Sequence, residues 1–375
     1  MSSTSWFRPV IAEMNGYAPG TWPQPSAGVL KLNSNENPYP PSPQVLEALI
    51  GFSAELLRRY PDPQANEFCR AISETFDIPS DWIIAGNGSD DLLTLLVRAC
   101  AEGSDRPLAY PTPTYVLYQT LATMQPAGTL EVPYALTNKW ALPVEQLLET
   151  DAAITLIATP NSPTGHVVPL AELRTLAENL SGILVIDEAY VDFRGEGADR
   201  ESLALVREFE NVIVLRTLSK GYSLAGLRLG FGFAQLGLLA GLKKVKDSYN
   251  VDALALKLGT VAIADQTYKN SCVKKVVAAR EQLAADLRSL RFQVWPSEAN
   301  FLLVKPPEID ALTAAQIAQS LCKHLKQNKI MIRYFPQPGL EDKLRITVGT
   351  PEQNKQVVRA IAELLTIQAS KPVLG

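Results

Sequence analysis

The chain has 375 residues, 46% hydrophobic and 20% charged, enough apolar material for a large buried core, which excludes a disordered chain or a single small binding module. Its 35 lysines and arginines against 39 aspartates and glutamates leave a formal charge of −4, so the basic surplus of a nonspecific nucleic-acid or anionic-membrane binder is missing. Cys69, Cys100, Cys272 and Cys322 form no Cys-x-x-Cys pair and the histidines are His166 and His324 alone, so no metal centre is expected, and the thiols suit the reducing cytoplasm.

Residues 1 to about 45 hold Pro19, Pro23, Pro25, Pro38, Pro40, Pro41 and Pro43, which predicts an extended N-terminal arm that wraps against the rest of the chain. The opening residues lack an apolar core flanked by positive charge, and no run of about 18 apolar residues follows, so neither export nor membrane spanning is expected. From Gln44 to Val277 short apolar runs alternate with amphipathic stretches, the pattern of an α/β domain around a mostly parallel sheet.

At 83–100, Gly86 and Gly88 end a strand, Ser89 is expected to cap a helix, and Asp90 and Asp91 open it, with Leu92, Leu95, Leu96 and Ala99 on one face. Backbone amides at such a helix start can hold a phosphate. A dinucleotide fingerprint fails here because Asp91 occupies the third glycine position, and LGFGFAQ at 229–235 also lacks that glycine.

Strands are predicted at 155–159, 183–187 and 212–216, with helices between them at 169–180 and 201–210. Ligands of open parallel sheets sit beyond the carboxyl ends of the strands, where this sequence places Asn161, then Asp187 and Tyr190, then Thr217, Ser219 and Lys220. An amide, a carboxylate, a phenol, hydroxyls and an amine are thus expected around one crevice. After a long helical region from about 240 to 290 come a strand at 300–305, a helix near 311–328, strands at 330–335 and 343–349, and a closing helix from 351 to about 367. The expected division is an arm at 1–45 that joins the small domain, a large domain at 46–280 and a small α+β domain at 281–375.

The runs NENPYPPSP, RYPDP, GNGSDD, YPTPTY, TPNSPTG, VIDEAYVDF, TLSKGYSLAGLRLG, EANFLL and LRITVGT, in unbroken order over residues 14 to 365, resemble the motifs of fold-type I, class II pyridoxal-phosphate aminotransferases, most closely their histidinol-phosphate branch. The resemblance implies a large domain with a mostly parallel central sheet flanked by helices plus a smaller α+β domain, and pyridoxal 5'-phosphate as cofactor. Lys220 matches the Schiff-base lysine that also shuttles the proton, and Asp187 the carboxylate that keeps the ring nitrogen protonated. Asn161 and Tyr190 match the pair on the phenolic oxygen, and Tyr115 the stacking ring. Thr217, Ser219 and Arg228, with the amides of Ser89 and Asp90, match the phosphate donors; the guanidinium fork suits phosphate oxygens.

By the same resemblance Tyr60 reaches the cofactor phosphate of a second subunit, which implies a homodimer with shared sites. Arg333 and Arg345 match positions that hold acidic groups of the substrate, and Tyr17 and Asn300 complete that pocket. The implied reaction exchanges an amino group between glutamate and imidazole-acetol phosphate in histidine biosynthesis. Alternatives are an aromatic or broad-specificity aminotransferase, a threonine-phosphate decarboxylase, or a cofactor-binding protein without turnover. Two departures, Gly221-Tyr222-Ser223 after the lysine and Thr159 where the family often has Asn, bear on pocket shape rather than on proton transfer.

Overall fold

The computed structural model describes residues 6–14, 16, 28–101, 106–125, 127–135, 140–309 and 312–369, and Tyr17 lies outside them. Its centre is a seven-stranded sheet of β2 (Ile83–Gly86), β3 (Leu108–Thr112), β4 (Thr129–Pro133), β5 (Ile154–Ala158), β6 (Ile183–Asp187), β7 (Val212–Thr217) and β8 (Gly230–Ala234), in the order β2-β8-β7-β6-β5-β3-β4. β1 (Leu30–Lys31) lies elsewhere. Neighbours among β7, β6, β5, β3 and β4 are parallel, whereas β8 runs antiparallel to both β2 and β7.

The middle strands are mostly apolar because both faces are covered: β5 and β7 are buried at every position, Arg216 and Thr217 at the end of β7 included. Crossover helices Leu170–Asn179 and Leu203–Glu208 return the chain from β5 to β6 and from β6 to β7, and each turns buried leucines toward the sheet. The carboxyl ends of β5, β6 and β7 therefore lie side by side, and that placement makes the site.

The C-terminal part carries β9 (Gln293–Val294), β10 (Phe301–Lys305), β11 (Ile330–Met331), β12 (Arg333–Tyr334) and β13 (Leu344–Thr347), with an antiparallel sheet in the order β12-β13-β10-β9. Its apolar face packs with buried residues of the helices Gln266–Ser289, Ala314–Gln327 and Pro351–Ala369. Thr313 starts the second of these with a reciprocal capping box to Gln316. β1 pairs in parallel with β11 through Leu30 and Ile330.

Several local expectations change. The single strand expected at 330–335 breaks at Ile332, because β11 bonds to β1 while β12 bonds to β13. β9 is too short to leave a pattern in sequence. The helical region after 240 is three helices, Leu236–Val245, Ala253–Ala264 and Gln266–Ser289, with Asp252 and Asp265 capping the last two. The arm is not extended throughout: Pro9–Glu13 is a short helix with proline in its first turn, and Arg8 donates to the Met124 carbonyl at 2.6 Å. Ser89 is not the cap of its helix; Gly88 precedes the first turn and Ser89 sits within it.

Candidate active site

A cavity of about 280 Å³ opens beyond the carboxyl ends of β5, β6 and β7 and is closed on the far side by Arg333, Phe335 and Arg345 of the C-terminal part. Of the residues nominated from sequence, Ser89, Asp90, Tyr115, Asp187, Tyr190, Thr217, Ser219, Lys220, Arg228, Arg333 and Arg345 all line it.

Lys220 follows β7, and its Nζ donates to the Ser34 carbonyl at 3.1 Å and stands 5.6 Å from the centre of the Tyr190 ring. Asn37 donates to the Lys220 carbonyl at 3.1 Å, so the segment after β1 clamps the lysine's backbone as well as its amine. Asn35 Nδ2 donates to Tyr190 Oη at 2.9 Å, which leaves the phenol hydrogen able to donate to a ligand oxygen.

Asp187 ends β6 in full burial. Its Oδ2 accepts from Tyr118 Oη at 2.8 Å and its Oδ1 from the Ala189 amide at 3.2 Å. Among the described residues no cation pairs with it, and burial pushes its pKa up to about 6, opposed by those two hydrogen bonds. A buried carboxylate of this kind fits a ligand that brings its own positive charge, such as a protonated pyridine nitrogen.

At the other end the first turn of the helix Ser89–Cys100 meets Thr217, Ser219 and Arg228. Thr217 Oγ1 donates to Ser219 Oγ at 2.9 Å, and Arg228 Nη1 donates to Ser219 Oγ at 3.4 Å. Gly88 has φ +87°, and a Cβ there would lie 2.7 Å from Arg228 Nη2; a Cβ at Gly230 would lie 2.5 Å from the Ser89 amide nitrogen. Two glycines therefore permit a helix N-terminus, hydroxyls and a guanidinium to converge as an anion cradle. Arg228 also contacts Asp90 Oδ2 at 3.3 Å, and Tyr115 Oη donates to Asp90 Oδ1 at 3.3 Å. Acid floor, amine, aromatic wall and anion cradle together fit pyridoxal phosphate.

The third wall is cationic. Arg333 and Arg345 are directly paired across β12 and β13. The Arg345 guanidinium donates to Ser162 Oγ at 2.9 Å and to the Asn33 carbonyl at 3.0 Å, while Arg333 lies 5.6 Å over the Phe335 ring.

Three nominated residues sit elsewhere. Asn161 is wholly buried behind the wall: its Oδ1 accepts from Thr114 and its amide donates to the Pro113 carbonyl and Thr164, at 2.7, 3.0 and 2.7 Å. Both amide hydrogens are spent inside the protein, and the next residue, Ser162, faces the cavity instead. Asn300 is likewise buried, and its Nδ2 donates to the Asn35 carbonyl at 2.9 Å; it braces the clamp segment without lining the cavity. Tyr60 is 81% exposed and stacks on Tyr249 at 4.5 Å, away from the cavity of its own chain.

Sequence reasoning missed the clamp Asn33-Ser34-Asn35, whose contacts are made by backbone as much as by side chains, and Ser162, whose orientation the motif does not give. It also missed Tyr118. The one available signal was its position three residues after Tyr115, about one helical turn away.

The family model for aminotransferase class I and II matches residues 27–361. A histidinol-phosphate aminotransferase 1 of Trichormus variabilis is 58% identical over 362 residues, covering 96% of this chain and 99% of that protein. Among solved structures, the histidinol-phosphate aminotransferase of Sinorhizobium meliloti in complex with pyridoxal-5'-phosphate superposes with TM-score 0.86 at 23% identity, covering 98% of this chain and 99% of that one. The L-threonine-O-3-phosphate decarboxylase of Porphyromonas gingivalis does so with TM-score 0.77 at 21% identity, covering 90% and 100%. At those identities the structural likeness speaks to fold alone.

Proposed function

The chain belongs to the class I and II aminotransferases, and from that premise we propose that it uses pyridoxal 5'-phosphate to exchange an amino group between histidinol phosphate and 2-oxoglutarate, yielding imidazole-acetol phosphate and glutamate in histidine biosynthesis. The observation that carries the reading is one cavity with the Lys220 amine and the unpaired acid Asp187 inside it, an anion cradle at Arg228, and a second cationic wall at Arg333 and Arg345. Two separate anion sites suit a phosphorylated cofactor together with an anionic substrate.

When bound, the cofactor supplies the electron sink that makes a proton on the substrate's amine-bearing carbon removable. Every other part of the work falls to this chain. Asp187 would hold the proton on the ring nitrogen, and Tyr115 would cover the ring face. Tyr190 donates to the phenolic oxygen. Ser89 and Asp90 through their amides, with Thr217, Ser219 and Arg228, hold the phosphate. Lys220 Nζ would hold the cofactor through its amine and, when free, would serve as the base that takes the proton from the substrate's amine-bearing carbon and gives it up again. Arg333 and Arg345 hold the substrate's phosphate or the side-chain carboxylate of glutamate in turn, and Ser162, bonded to Arg345, adds a hydroxyl to that grip.

Tyr60, exposed beside Leu56 and Leu57, is proposed to reach the site of a second copy, making the protein a homodimer with shared sites. No described helix is long and apolar enough to cross a membrane, and the four cysteines are free thiols, in keeping with work in the cytoplasm on small molecules. A substrate panel tests the reaction: with glutamate as donor, imidazole-acetol phosphate is expected to outpace phenylpyruvate and 4-hydroxyphenylpyruvate. Preference for either aromatic acid would replace the reading with an aromatic aminotransferase, and release of carbon dioxide from threonine phosphate would replace it with a decarboxylase.

A further inference from the structure

We infer that Tyr118 is the positioning residue of the site: its buried phenol keeps Asp187 ionised and aimed at the cavity, while its ring fixes the stacking wall at Tyr115. The inference rests on the reading that Asp187 serves the ring nitrogen. Tyr118 lies in the helix Leu117–Met124, is fully buried, and donates to Asp187 Oδ2 at 2.8 Å. Its ring meets Tyr115 edge-on at 5.8 Å and Tyr110 at 5.9 Å, so one side chain touches both the acid and the aromatic wall.

An ionised carboxylate only accepts hydrogen bonds, so the shared hydrogen belongs to the phenol. Burial holds the Tyr118 pKa far above its ordinary value, which keeps it a donor at any working pH. The groups around Asp187 otherwise favour its neutral form. Asp90 and Glu188 both repel its charge, Tyr115 is engaged by Asp90, and Arg216 is committed to Glu188. Lys220 and Arg228 line the same cavity, and neither forms an ion pair with it among the described residues. Among the described residues the Ala189 amide, at 3.2 Å, is the other hydrogen-bond donor to the Asp187 carboxylate, and it serves the other oxygen.

Removal of the phenol hydrogen bond would therefore push the acid further upward. A neutral carboxyl at Asp187 lacks the charge that retains a proton on the ring nitrogen, although its shape is unchanged. Packing alone does not call for a hydroxyl here, because Tyr118 belongs to the apolar cluster that also holds Tyr110, Leu92 and Leu121, in which phenylalanine would fill nearly the same volume.

The test compares full-length Tyr118→Phe and Asp187→Asn with the unmutated protein after removal and titration back of pyridoxal phosphate, from about pH 5 to about pH 9. Asp187→Asn is expected to bind weakly at every pH. Tyr118→Phe is expected to lose roughly 10-fold in cofactor affinity near neutral pH and to recover at alkaline pH, where Asp187 ionises without help. Thermal unfolding of the cofactor-free chains gives a second reading. Because the folded pKa of Asp187 is raised to about 6, ionisation is harder in the folded state, and the variant's loss relative to the unmutated protein should grow as pH rises through that value.

A loss of affinity that is the same at all pH values, or none, overturns the inference while leaving Asp187 in place. So does a Tyr118→Phe chain that fails to fold even near pH 5, where a protonated carboxyl needs no donor. If Asp187→Asn binds cofactor as the unmutated protein does, the fault lies instead with the reading of Asp187.

Discussion

Asp187 and Glu188 are consecutive carboxylates at the end of β6, both buried, and the protein treats them in opposite ways. Glu188 receives two hydrogen bonds from the Arg216 guanidinium, at 3.0 and 2.7 Å, and a third from Ser202. Arg216 in turn stacks over Phe76 and Phe233. Asp187, one residue earlier, has a phenol, an amide and no cation among the described residues. The first arrangement neutralises a charge for the sake of the core. The second leaves a charge to be neutralised by a ligand, and only that one lines the cavity.

The comparison can be broken at several points. The largest effect is expected at Lys220→Ala, which should cost about 10⁴-fold in turnover, the upper end for loss of a proton-transfer group, while cofactor still binds noncovalently. Borohydride reduction followed by peptide mapping checks the assignment, and an adduct on a different lysine contradicts it. Next, Glu188→Gln should destabilise folding by about 3–5 kcal/mol in urea denaturation, because it strands the buried Arg216 charge. A loss below about 1 kcal/mol would show that the pair is not the structural member of the two.

A smaller effect is expected on the substrate side. Arg333→Ala should lower kcat/KM for the phosphorylated substrate by roughly 10- to 100-fold, with less harm toward an aromatic keto acid. Equal harm to both would remove Arg333 from phosphate recognition. Smallest is the activity expected back when inactive Tyr60→Ala and inactive Lys220→Ala subunits are mixed under conditions of proven exchange. A hybrid dimer holds one site with both residues intact, so absence of recovery places Tyr60 in its own subunit's structure.

Much of the site was legible in sequence because it hangs from strand ends. A buried apolar run followed by polar residues announces the edge of a parallel sheet, and three such runs placed Asp187, Tyr190, Thr217, Ser219 and Lys220 around one crevice. What stayed hidden depends on orientation. Asn161 and Ser162 are adjacent in one turn and face opposite ways, so the motif alone favours the amide while the fold presents the hydroxyl. Asn300 looks like a pocket residue until its amide is found on the Asn35 carbonyl, a contact between segments 265 positions apart. Tyr118 reads as one more apolar position on a helix, since nothing local shows that its hydroxyl meets an acid 69 positions away. β9 spans two residues, fewer than periodicity can register.

The most direct measurement is the pyridoxal phosphate dissociation constant of Asp187→Asn and Glu188→Gln, side by side at neutral pH. If Asp187 is the acid left for the cofactor, its variant should bind at least about 10-fold more weakly, whereas Glu188→Gln, once folded, should stay within about 3-fold of the unmutated protein. Equal losses, or a greater loss at Glu188, would contradict the division of labour between the two carboxylates.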